Sequence, residues 1–200
     1  MGDILTFIRN CRSREARGTE LERDLKSRLG GRVVRLVSEG PASRNVELFS
    51  ALNYVAADTS AAYLFFVEDD MTYTDKLKNS LSRIPELGYP FVQLSVPETR
   101  YLYTPLNEET YLYRGEELHY SGAYFMTLDF LREFLACHFS GSEMFDGEHF
   151  DLLLTRFVRS KGLPIVLQPG IAATKKGIPS ALGNTYEAQD PFFKHEFSVI

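Results

Sequence analysis

Apolar residues fall along this chain in two rhythms. The runs Ile4-Leu5-Thr6-Phe7-Ile8 and Val33-Val34-Arg35-Leu36-Val37 predict β-strands, and the continuous run Tyr63-Leu64-Phe65-Phe66-Val67 predicts a strand covered on both faces. Between the first two lies a charged stretch through Leu21, Leu25 and Leu29, closed by Gly30-Gly31, which predicts a helix. A second helix starts near Ser43, with Leu48, Phe49, Leu52, Val55 and Ala56 at the i, i+3, i+4, i+7, i+8 spacing of a core-facing stripe. Strand, helix, strand, helix, strand at this pace predicts an α/β, Rossmann-like architecture, with flanking helices on a mostly parallel sheet joined by right-handed crossovers.

The second half is less regular. Residues 75–84 predict a helix and Phe91-Val92-Gln93-Leu94 a strand, and the triplets at 101–103 and 111–113 flank a turn and predict a small antiparallel hairpin. Ser121-Gly122-Ala123-Tyr124-Phe125-Met126 leads into a helix with Leu128, Leu131, Phe134 and Leu135 inward. Another helix is expected over about 148–161, stopping at Gly162, and then a strand over 164–167. No repeat, low-complexity segment or linker interrupts the chain, so residues 1–200 read as a single domain.

Apolar residues make up 44% and charged residues 24% of the 200 positions, the balance of a globular chain with a sizeable core and not of a disordered one. A net charge of −5 gives no overall attraction to nucleic acid or anionic membrane. There is no apolar run of about eighteen residues, so no membrane span is expected. Cys11 and Cys137 have neither metal-ligand nor redox spacing and are expected as unpaired buried thiols in a reducing compartment. The expected location is cytoplasmic.

The third strand runs into Glu68-Asp69-Asp70. Ligands of parallel sheets bind beyond the carboxyl ends of the strands, which makes this a site position. Consecutive carboxylates repel unless a cation lies among them. Mn²⁺ or Mg²⁺ suits them, since such ions prefer oxygen and often bind through one or two carboxylates plus substrate phosphates. That ion can bridge a diphosphate and offset the charge of a leaving group as a glycosidic bond breaks. The same acids also read as solvated loop residues.

Tyr63-Leu64-Phe65-Phe66-Val67-Glu68-Asp69-Asp70-Met71 resembles the hydrophobic strand and E-D-D motif (the DxD equivalent) of GT-A glycosyltransferases. The form is that of the N-acetylglucosaminyltransferases that begin complex N-glycan branches. Ala42-Ser43-Arg44-Asn45 with Ala51-Leu52 is similar to the family's arginine-containing helix near the nucleotide. The resemblance implies a GT-A fold in which Asp70 binds the metal directly and Asp69 lies by the metal and the ribose or phosphate. It also implies Glu68 near the base or ribose, and Arg9, Arg12 and Arg44 about the nucleotide.

Downstream segments match the family in order. Ser121-Gly122-Ala123-Tyr124-Phe125 resembles the glycine-containing loop against the donor sugar, although Gly122 also reads as relief for a bend entering a strand. Phe145-Asp146-Gly147-Glu148-His149-Phe150-Asp151-Leu152 resembles the G-E-D-x-D-L segment whose acid is the general base of inverting enzymes. On a helix, Glu148, Asp151 and Thr155 share one face, opposite the apolar stripe, where a carboxylate can take an acceptor hydroxyl's proton. Helix capping is the other reading of these acids. His149 stands where the family has Asp, so Glu148 and Asp151 both stay candidates, Glu148 first. If neither acts as base, a retaining mechanism becomes the open alternative. The stretch from Gln168-Pro169-Gly170-Ile171 to Gly183 resembles the C-terminal loop that closes over the diphosphate. Lys175 and Lys176 stand there as point charges for phosphate, and His195 is a candidate late metal ligand.

Taken together, the resemblance implies metal-dependent transfer of a sugar from a nucleotide-sugar, UDP-linked, to a hydroxyl acceptor. Residues 1–95 would form the nucleotide-binding half and 96–200 the acceptor and catalytic half. The acceptor stays open among saccharide, lipid-linked sugar, protein and hydroxylated nucleic-acid base. The hairpin tyrosines read either as an acceptor wall or as plain cross-strand pairs. Nucleotidyl transfer uses similar sheets but wants a glycine- and basic-rich loop after the first strand, and no glycine stands between Arg9 and Gly18. A haloacid-dehalogenase-type phosphatase needs Asp-x-Asp on the first strand. The non-enzymatic reading is a degenerate sugar-nucleotide binder or interaction module.

Overall fold

The computed structural model describes residues 3–39, 45–58, 60–95, 103–115, 122–139 and 150–174. Strand β1 (Asp3–Cys11) carries Phe7 and Ile8 side by side, and because successive side chains point to opposite faces, each enters a different hydrophobic cluster. The same alternation sends Leu64 and Phe66 of β3 (Ala61–Glu68) to one face and Phe65 and Val67 to the other. This is why the apolar runs are continuous.

One face is covered by α2 (Asn45–Ala56), α4 (Leu128–Phe139) and α5 (Phe150–Ser160). On the other lie α1 (Glu15–Leu29), α3 (Leu77–Arg83) and a two-stranded sheet of β4 (Met71–Tyr73) and β10 (Ala172–Thr174). A 3-10 turn, Arg12–Arg14, joins β1 to α1. Helix α1 buries Leu21 and Leu25, one turn apart, and ends where Gly30, at φ +66°, donates its N–H to the Lys26 carbonyl at 3.0 Å.

The remaining strands are β2 (Arg32–Ser38), β5 (Phe91–Gln93), β6 (Tyr103–Pro105), β7 (Tyr111–Tyr113), β8 (Ala123–Thr127) and β9 (Ile165–Leu167). The large sheet has eight strands in the order β2-β1-β3-β8-β5-β9-β7-β6. The first three are parallel, as the sequence predicts. Four of the seven pairings in the sheet are antiparallel, so it is mixed and not mostly parallel. Strand β8 inserts between β3 and β5 and runs against both, and β7 runs against β9 and β6. An apolar run covered on both faces looks the same in either direction, so the pattern could not reveal this reversal. The expected hairpin is β6–β7, with Tyr103 opposite Tyr113 and Pro105 opposite Tyr111. It continues the main sheet through β7.

This topology gathers the carboxyl ends of β1, β3, β5 and β9 and the amino end of β8 along one edge. Among the described residues no helix is long and apolar enough to cross a membrane. Both cysteines are free. Cys11 is half-buried and Cys137 exposed, so the expectation that both are buried does not hold.

Candidate functional site

The site grows out of the β1–β3 ladder. Arg9 and Glu68 are register partners, so their side chains leave the sheet on the same face, where Arg9 Nη1 lies 3.2 Å from Glu68 Oε1. The ladder extends one residue further, with the Asp69 N–H donating to the Arg9 carbonyl at 3.0 Å. Asp69 then turns its carboxylate inward, where it is fully buried. Its Oδ2 accepts the Cys11 N–H at 2.8 Å and the Asn10 side-chain amide at 2.5 Å, and its Oδ1 lies 2.6 Å from Arg14 Nη2. Asp69 thereby ties the end of β3 to the turn between β1 and α1.

Asn10 is the hub of that turn. Besides Asp69, its amide reaches the carbonyls of Cys11 and Arg14 at 3.0 and 3.1 Å, and its Oδ1 accepts Arg35 Nη1 at 3.1 Å. Helix α1 comes so close that a Cβ on Gly18 would stand 2.1 Å from Asn10 Oδ1. Arg17 fastens the same helix to β4 by donating to the Met71 carbonyl at 2.8 Å.

The other acids face different surroundings. Asp70 keeps 16% of its side chain exposed and meets Arg14 Nη1 through Oδ2 at 3.2 Å. Glu68 is pushed up to about 7, first by burial, with Asp70, Asp69 and Asp151 adding to the rise and Arg9 opposing it. Burial also raises Asp69, against the pull of Arg14, Asn10 and the Cys11 N–H. The field of Asp151 at Glu68 brings the start of α5 into the site. Phe150 anchors that start, its ring 5.4 Å from Phe66 and 6.5 Å from Tyr124, which are themselves register partners across β3 and β8. Asp151 is 8% exposed and Thr155 fully buried, so the face they share is inside the protein.

Gly122 lies beside the triplet, its carbonyl accepting the Glu68 N–H at 2.9 Å. A Cβ there would meet Met71 Sδ at 2.4 Å and Ser95 Oγ at 3.1 Å, and Ser95 Oγ accepts the Ala123 N–H at 2.9 Å. Close packing at the mouth of β8 is thus one concrete reason for glycine here.

The structure brings together Arg9, Glu68, Asp69, Asp70, Gly122 and Asp151 from the residues expected in the site. It sets Arg12 apart, exposed and paired with Glu39 at 2.7 Å and Glu15 at 3.5 Å. Arg44, Glu148, Lys175, Lys176 and His195 lie outside the described residues. Sequence reasoning missed Asn10, Arg14 and Arg17. The available signal was a density of arginines directly after an apolar strand, at positions 9, 12, 14 and 17.

Among the described residues no group of three or more His, Cys, Asp or Glu side chains is arranged to hold a metal. Asp69 is hydrogen-bonded through Oδ2, whereas its buried Oδ1 lies 2.6 Å from Arg14 Nη2 and accepts no hydrogen bond. Asp70, partly exposed and held through one oxygen, is the acid that fits a hard divalent ion completed by ligand phosphates. A separate groove of about 480 Å³, lined by Arg83, Glu86, Glu109, Thr110 and Gln168 among others, includes none of these residues.

No protein-family model matches the chain, and no curated protein matches it. Among solved structures, the crystal structure of A197 from STIV aligns over 86% of this chain and 85% of that one, at 17% identity and a TM-score of 0.49. A likeness of that strength assigns no function.

Proposed function

We propose that the chain is a metal-dependent glycosyltransferase that takes a sugar from a nucleotide-sugar, UDP-linked, to a hydroxyl acceptor with inversion. The observation that carries this reading is the charge at the carboxyl edge of the sheet. Among the described residues, the carboxylates of Glu68, Asp69, Asp70 and Asp151 stand against the guanidiniums of Arg9 and Arg14. The acids outnumber these two guanidiniums, and Asp70, Asp69 and Asp151 add to the rise that burial gives Glu68. Asp70 would hold that ion. When bound, it supplies neutralisation of the diphosphate leaving group.

The protein's own residues then divide the remaining work. Asp69 fixes the turn that aims Arg14 and Asp70. Arg9 holds Glu68 beside them. Glu148 and Asp151, the latter set at the start of α5 by Phe150, are the two candidates for general base toward the acceptor hydroxyl.

A second reading is favoured by the Arg14 guanidinium standing between Asp69 and Asp70: a non-catalytic sugar-nucleotide binder. Turnover separates the two. The enzyme reading expects Mn²⁺-dependent release of UDP from a panel of UDP-sugars with hydroxyl acceptors, abolished by Asp70→Ala. Tight UDP binding with neither hydrolysis nor transfer across that panel supports the binder.

A further inference from the structure

We propose that Arg14 is a resident counter-ion. It spans Asp69 and Asp70 where the cation would bind, and moves onto the donor's diphosphate when a divalent ion reaches Asp70. The proposal rests on the glycosyltransferase reading and extends it to how the site is loaded.

One guanidinium spans two consecutive carboxylates here, 2.6 Å from Asp69 Oδ1 and 3.2 Å from Asp70 Oδ2. A bridging metal ion would make the same kind of contact. The two halves of the bridge are unequal. The Asp69 contact is the shorter but lacks hydrogen-bond geometry, whereas Arg14 Nη1 donates to Asp70 Oδ2; Asp69 is 1% and Asp70 16% exposed in the side chain. Asp70, the carboxylate an incoming ion can reach, is therefore the half that opens. A guanidinium and a divalent ion cannot share the Asp70 carboxylate at contact distance without strong repulsion. The planar fork of arginine resolves the conflict, since one edge can stay on Asp69 while the other turns to phosphate oxygens. The backbone of Arg14 stays fixed throughout, because its carbonyl accepts the Asn10 amide at 3.1 Å.

The test compares the full-length wild type with Arg14→Gln and Arg14→Lys. Mn²⁺ alone is titrated by loss of the free-ion paramagnetic resonance signal, and UDP by calorimetry at saturating Mn²⁺. In Arg14→Gln the removed competitor should tighten Mn²⁺ binding about tenfold, while the lost phosphate contact weakens UDP about tenfold. Arg14→Lys keeps the charge but not the fork, so Mn²⁺ should bind as to the wild type while UDP weakens several-fold. Changes of the same sign for both ligands in Arg14→Gln, or no change, overturn the proposal and reduce Arg14 to a brace. Should Arg14→Gln fail to fold, an Arg14→Lys protein with wild-type UDP affinity or altered Mn²⁺ affinity overturns it equally. A wild type that binds neither Mn²⁺ nor UDP removes the glycosyltransferase reading itself.

Discussion

Replacing Asp69 with alanine takes the acceptor away from the Cys11 N–H, the Asn10 amide and the Arg14 guanidinium at once, in a place where the residue is fully buried. Removing one partner of a buried ion pair costs about 3–5 kcal/mol, because the other charge stays behind uncompensated. Arg14 retains Asp70 at 3.2 Å, which softens that loss. The orphaned Cys11 N–H pushes the other way by about 1–3 kcal/mol. A net destabilisation of about 3–5 kcal/mol is expected, a large share of the roughly 5–15 kcal/mol that holds a typical domain together. Asp70→Ala is the internal control. It breaks a single, longer contact between side chains that are each 16% exposed, a loss of about 0–1 kcal/mol. Urea denaturation of both variants at pH 7, followed by far-UV circular dichroism because the chain has no tryptophan, measures the difference. If Asp69→Ala lies within about 1 kcal/mol of the wild type, or Asp70→Ala costs as much as Asp69→Ala, the division into a structural and a ligand-facing acid is wrong.

Three further outcomes are expected. Gly18→Ala places a methyl 2.1 Å from Asn10 Oδ1, so it should displace Asn10 from Asp69 and lower stability by about 1–3 kcal/mol; a neutral thermal-unfolding result would show that the turn yields freely. Glu68 stands at about 7 in the folded protein against an ordinary 4.5, so between those pH values the folded state holds a proton the unfolded chain has released. Stability should therefore fall as pH rises from about 4.5 to about 7 and level off above, and Glu68→Gln should flatten that fall; an unchanged slope in the variant contradicts the assignment. Phe150→Ala empties the space against Phe66 and Tyr124, at a cost of about 3–5 kcal/mol. Because that ring sets the start of α5, the variant should also lower the rate of sugar transfer at saturating donor, and an unaffected rate would detach Asp151 from the chemistry.

The first half of the fold is legible in the sequence because each element carries an unambiguous period. The stripe of Leu48, Phe49, Leu52, Val55 and Ala56 can only be the inner face of α2, and those residues are all buried. Tyr63 to Val67 is too short for a helix and ends at the triplet as expected. Strand direction is another matter. Ala123 to Thr127 is as apolar as β3, and nothing in such a run tells which way it points, so the antiparallel insertion of β8 was hidden. The three-residue strands β4 and β10 carry too few positions for any period.

Within the site, the acids were visible as a cluster and their partners were not. Glu68 to Asp70 stand out in one dimension, whereas Arg14 and Asn10 reach them only because β1 and β3 are neighbours in parallel register. Repulsion among consecutive carboxylates suggested a metal. In the folded protein arginines from the adjoining strand and turn meet much of that need. The polar face of α5 is a related case. Asp151 and Thr155 stand apart from the apolar stripe in sequence, yet both are buried.

The central claim is that a divalent ion joins Asp70 to a nucleotide diphosphate. Crystals soaked in UDP with Mn²⁺ and measured at the manganese absorption edge address it directly. The expected result is an anomalous peak in contact with the Asp70 carboxylate and two phosphate oxygens, with Asp69 still bound to Asn10 and Cys11. UDP bound with no manganese at Asp70, or manganese lodged away from the triplet while Arg14 keeps both of its carboxylates, would contradict it.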